Sequence, residues 1–234
     1  MVEKLRSISK RTSWSLVLKA VIFGVAWWVL PFWLFLIIAL YLYFIPITGT
    51  GKVSAPFFVL LLISLLESPG IVDMIISAAI FYFILLIKDL LIIDRRSAYE
   101  ILMLVLTYLL LRSFFLDVGG SFGLRAFFYG LIGAVAISAM AASFVKNFSE
   151  APHPFRRMLG WMTFVLMWQL LIVGLFLPLD FLYQSAIIFL MAAILIDLVP
   201  QYVFGELTRA KALAAGSVIF SLLVIVAASA RWVL

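Results

Sequence analysis

The sequence has no cysteine, a single histidine and only 12% charged residues. Without thiols there can be no disulfide scaffold, no thiolate metal site and no cysteine nucleophile. The lone His153 lies between Pro152 and Pro154 and forms no H-E-x-x-H pair, so imidazole zinc chemistry falls away and His153 reads as a solvated loop residue. Scarce charge and scattered glycine and proline also exclude a disordered or collagen-like chain. An ordinary soluble domain is about 25% charged and roughly 45–50% apolar; this chain of 234 residues is 67% hydrophobic, with 22 Phe and a mean hydropathy of +1.26. A globular domain of this size leaves about a quarter of its extended-chain surface exposed. Its apolar residues could not all be hidden from water, so lipid must solvate most of its surface.

Long charge-free stretches separated by short polar punctuation are the pattern of transmembrane helices, each approaching ~20 residues at about 1.5 Å per residue. The candidate spans are 14–30, 31–47, 53–67, 70–92, 99–117, 125–146, 158–179, 181–201 and 211–230. The apolar runs are continuous rather than period-two, which argues against a β-barrel. The expected fold is all-α: a polytopic integral membrane helix bundle of eight or nine spans forming a single domain, 1–234, with a basic segment at 1–13 ahead of the bundle at 14–234.

The formal charge of +6 is a matter of topology rather than of nucleic acid. With the N-terminus in the cytoplasm, Lys4, Arg6, Lys10, Arg11, Lys52, Lys88, Arg95, Arg96, Lys146, Arg156, Arg157, Arg209 and Lys211 fall inside. Only Arg112, Arg125 and Arg231 lie at or toward the outside, a ratio of thirteen to three, and Leu234 is outside. Lys19, inside the first span, would snorkel to the inner interface. Span 53–67 is short, yet removing it would put the later basic loops outside. Pro31 marks a tight turn, so 14–47 either crosses twice or re-enters. Trp27, Trp28 and Trp33 fit an outer aromatic belt, and Trp14, Tyr43 and Tyr99 an inner one. No A-x-A-like cleavage site follows the first apolar run, so the N-terminal segment reads as retained, either as a small amphipathic helix or as a solvated basic tail.

Two catalytic look-alikes fail on context. Gly119, Ser121 and Gly123 satisfy G-x-S-x-G, but in an outer loop with the only histidine in an inner one. Thr48–Lys52 resembles the end of a P-loop, yet Pro46 stands where the first glycine belongs and Val53 replaces the Ser or Thr. No catalytic residue, metal site or cofactor is expected. A packing motif is clearer: Gly130, Ala134, Ser138 and Ala142 recur every four residues along the sixth span, a ridge that lets another helix approach closely.

Ionisable groups inside a membrane are where function is first sought. Asp73 follows Ser68 and Pro69, read as an N-cap and a first helical proline, and would complement the dipole of the fourth span. Arg112 would pair with Asp117 or Asp73, as an interfacial ion pair or as part of an anion-attracting vestibule. Asp89 and Asp197 are related by an offset of 108, at which Ser77, Ala78, Ile80, Phe81, Asp89 and Leu90 match Ser185, Ala186, Ile188, Phe189, Asp197 and Leu198. That suggests a parallel three-helix repeat, spans three to five against seven to nine. The two aspartates then either form interfacial salt bridges or line an ion path.

With about nine spans, no loop is large enough to fold alone. The function classes left are a non-catalytic subunit or scaffold of a membrane complex, favoured because the interior prolines all lie near span ends, a small-solute or ion transporter or channel, and, weakest, a lipid-acting enzyme. The expected partners are the bilayer and other membrane subunits or a second copy, not nucleic acid; the expected location is the plasma membrane.

Overall fold

The computed structural model describes the chain outside residues 1, 46–52, 68–69, 90–93, 119–122, 149–152, 204, 206 and 231–234, and, within helices, outside the side chains of 2–13, 153, 197, 199–200 and 203. The described residues form nine helices and no sheet. They are α1 (Val2–Val29), α2 (Phe32–Phe44), α3 (Ser54–Leu66), α4 (Ile71–Lys88), α5 (Arg95–Val118), α6 (Leu124–Phe148), α7 (His153–Leu175), α8 (Phe181–Val203) and α9 (Arg209–Ser229). Five of them, α4, α5, α6, α7 and α9, contain apolar stretches long enough to cross a membrane; the apolar stretches of the other four are shorter.

The helix ends have local causes. α1 runs unbroken from Val2 through the basic segment. α5 starts on Asp94, which accepts the Ser97 amide at 3.2 Å on one carboxylate oxygen and the Ser97 hydroxyl at 2.7 Å on the other. These bonds satisfy an otherwise orphaned helical N–H and hold the Asp94 carboxyl below its ordinary range. The cap of α4 is Gly70 rather than Ser68, and Ser68 and Pro69 lie outside the described residues. Asp73, third in the helix, folds its carboxylate back so far that a Cβ on Gly70 would stand 2.8 Å from Oδ2. α7 begins at His153, so this residue opens a helix instead of sitting in a loop. Pro154 is tolerated in that first turn, where its missing N–H has no intrahelical role.

The chain divides into two compact units, Met1–Ala98 and Tyr99–Leu234. In the first, Phe23 of α1 stacks on Phe81 of α4 at 4.2 Å and meets the edge of Phe35 of α2 at 5.1 Å, while Tyr43 at the end of α2 stacks on Phe57 at the start of α3 at 4.0 Å. The indole of Trp27, near the end of α1, donates to the Ser64 carbonyl in the last turn of α3 at 2.8 Å. These pairings fix direction: α1 and α3 run one way, α2 and α4 the other. α1 lies close on α4, where a Cβ on Gly24 would come 2.9 Å from Ala78 Cβ and 3.1 Å from the Met74 carbonyl. Trp27 and Tyr43 are buried here, not displayed in aromatic belts, whereas Trp14, Trp28 and Trp33 are exposed. Their different fates follow the helix faces, because the residues turned inward find a carbonyl or a ring to meet.

In the second unit neighbouring helices also alternate. Asp117 at the end of α5 pairs with Arg125 at the start of α6 at 2.7 Å. Tyr99 at the start of α5 is fully buried against Phe144 and Phe148 near the end of α6, which corrects its placement in a belt. α6 and α7 pack along most of their length, with Phe127 against Trp168 at one end and Ala142 beside Gly160 at the other. The α7–α8 turn is closed by Gln184, whose buried amide donates to the Leu177 carbonyl at 2.9 Å. α9 touches α8 along one edge, where Leu223 and Val226 meet Leu179 and Ile187.

Candidate functional site

The last four carbonyls of a helix have no intrahelical donor and carry the negative end of its dipole. At the end of α2 two lysines fill this role. Lys88, the final residue of α4, donates from Nζ to the Tyr43 carbonyl and lies 5.0 Å over the Tyr43 ring. Lys19 of α1 donates to the Ile45 carbonyl, the C-cap of α2. Lys88 is only 2% exposed. A buried ammonium needs hydrogen bonds and a counter-charge, and the acid beside it in sequence, Asp89, supplies the opposing charge. The arrangement is a clamp: two cations from different helices hold the end of a 13-residue helix, about 20 Å long and unable alone to span ~30 Å of hydrocarbon.

Asp89 is thus the C-cap of α4, half-buried next to a buried lysine. Asp197 lies within α8, six residues before its last one, and its side chain is outside those described. The offset that relates them brings buried Ser77 and Ile80 onto buried Ser185 and Ile188. The two helices nevertheless belong to different compact units, and the division at Ala98 falls between α4 and nearly all of α5, inside the first of the two suggested repeats. Asp73 is half-buried in the first turn of α4, and Arg112 is half-buried in the last third of α5. Asp117, one of the two acids suggested for Arg112, pairs with Arg125 at 2.7 Å.

The four-residue ridge of α6 faces two neighbours. A Cβ on Gly130 would lie 3.6 Å from the Phe114 ring of α5, Ala134 is fully buried, and Ala142 is 3.6 Å from a Cβ built on Gly160 of α7. Ser138 is half-buried and returns its hydroxyl to the Val135 carbonyl at 2.9 Å. Where α5 to α8 meet, Met103, Ile137, Thr163, Met167 and Ile196 line a void of about 10 Å³, at the lower limit for one water and too apolar to hold it. Among the described residues no three His, Asp or Glu side chains gather as metal ligands.

Two features escaped sequence reading. Lys88 bounds an apolar run and reads from the sequence as an inner-boundary charge able to neutralise Asp89, but its reach to the end of α2 does not. Gln169 is the only amide in the apolar run of α7, and it belongs to no motif. No protein family, no curated protein and no solved structure matches this chain.

Proposed function

We propose that this chain is a non-catalytic subunit or scaffold of a membrane complex, crossing the plasma membrane nine times with its N-terminus cytoplasmic and Leu234 outside. The observation that carries the reading is α9. It is apolar enough to span, yet none of its residues is buried and only one edge rests on α8. Ala214, Ser217 and Ser221 are exposed on it, on the face turned away from the half-buried stripe of Ala212, Gly216, Leu223 and Val226. Lipid covers apolar surface as well as protein does, so helices associate in membranes through close approach at small residues; α9 offers such a site and its own chain leaves it open. Ser217→Leu, on that exposed face, should leave the melting temperature in detergent unchanged and remove the partner that accompanies the wild-type protein from native membranes. A fall in melting temperature, or a wild-type protein that comes away alone, would overturn the reading.

A transporter is the second reading. It is favoured by α2 and α3, both 13 residues long, because transporters build their sites from short, interrupted helices. On that reading Lys88 and Asp89 border the path, and the purified chain by itself carries flux in liposomes; a scaffold does not. The orientation has its own test. Of S97C and S121C, an impermeant thiol reagent applied to intact cells should modify only S121C, and the reverse pattern would invert the topology.

A further inference from the structure

Beyond that reading, and independently of α9, we propose that α7 carries a self-association seam on which a second copy of this chain docks within the membrane, the two Gln169 amides bonding each other. The inward face of α7 repeats every seven residues. A Cβ on Gly160 would lie 3.6 Å from Ala142, Met167 is fully buried, and a Cβ on Gly174 would meet the Phe115 ring at 2.6 Å. Diametrically opposite run Met158, Met162, Val165, Gln169 and Ile172, spaced 4-3-4-3, all exposed except the half-buried Ile172. This is the spacing by which two helices wind about each other in a left-handed seam, with Gln169 at one core position.

Gln169 is what says that a protein, not lipid, covers this face. It lies six residues from the end of α7, about 9 Å along the axis, flanked by the groove walls Leu131, Phe164 and Trp168. Among the described residues its amide has no hydrogen-bond partner. An acyl chain offers neither donor nor acceptor, so in lipid the amide stays unmet at real cost. An amide is both donor and acceptor and therefore complements its own copy. Two copies of one chain inserted with the same topology also present Gln169 at the same depth, so a twofold axis along the membrane normal brings the two amides together without any shift of register.

The chain has no cysteine, so single introduced thiols report without background. In native membranes V165C and I172C, on the seam, should form disulfide-linked dimers on mild oxidation, and I101C, exposed on α5, should not. In liposomes, energy transfer between labelled copies should show Q169L self-associating roughly three- to thirtyfold more weakly than wild type, the range of one interhelical hydrogen bond or a reciprocal pair, with Q169N retaining part of the association. Because leucine suits a lipid-facing site, the variant should fold. Cross-linking of I101C as readily as V165C, or unchanged association of Q169L, would overturn the proposal. So would a wild-type chain that shows no self-transfer, the result expected if only lipid or another subunit lies on α7; that outcome leaves the Ser217→Leu test of α9 untouched.

Discussion

Replacing Trp27 by alanine should cost about 3–5 kcal/mol, the range for emptying a buried aromatic site, and is the largest single loss expected in the first compact unit. Trp27 is 4% exposed and donates to the Ser64 carbonyl at 2.8 Å. Two effects combine. The cavity forfeits dispersion contacts that the packed helices around it cannot regain by small shifts. The Ser64 carbonyl, in the last turn of α3, then loses its donor in a place that water does not reach. α3 is only 13 residues long, so it has few other interactions to hold its end. Trp27→Phe separates the terms: it keeps most of the volume and deletes the N–H, and should cost about 1–3 kcal/mol for the orphaned acceptor. Reversible unfolding in mixed micelles measures both. A Trp27→Phe variant as damaged as Trp27→Ala would mean that the hydrogen bond dominates; a Trp27→Ala variant as stable as wild type would remove Trp27 from the core.

The apolar runs were legible as helices because lipid leaves the backbone no choice but to bond within its own segment, and each of the nine runs holds a helix among its described residues. Helix ends were less so. Asp94 caps α5 through Ser97, a signal present in the sequence but overshadowed by the basic pair Arg95 and Arg96. Which face of a span turns inward was the least legible feature. In a soluble helix polar residues mark the outer face, whereas here both faces are apolar, so Trp27 and Tyr43 look no different from Trp28 and Trp33. Only exact neighbours distinguish them, and neighbours come from tertiary packing. The same holds for the candidate site. A lysine at the end of a run can reach headgroups or a carbonyl, and what turns Lys88 inward is the end of α2, 45 residues away in the chain.

Small residues show the same divide. The ridge from Gly130 to Ala142 stands out by its repetition, but Gly24 in α1, four residues after the buried Ala20, does not, although α4 comes close to it. Gly24→Ala should destabilise the protein by about 1–3 kcal/mol, the usual cost of overpacking. The added methyl would stand 2.9 Å from Ala78 Cβ and 3.1 Å from the Met74 carbonyl oxygen, and the second of these is backbone, which can yield only if α4 moves away from α1. That separation would also disturb the stacking of Phe23 on Phe81 at 4.2 Å. Ala78→Gly added to Gly24→Ala removes the first collision and leaves the second, so the double variant should recover part of the loss but not all of it. Gly216→Ala, with no atom within 4 Å of its new methyl, is the matched control and should not destabilise. Equal melting temperatures for Gly24→Ala and Gly216→Ala would mean that α1 and α4 do not pack at this distance; full recovery in the double variant would mean that the Met74 carbonyl gives way, and that the side chain of Ala78 alone sets the spacing of the two helices.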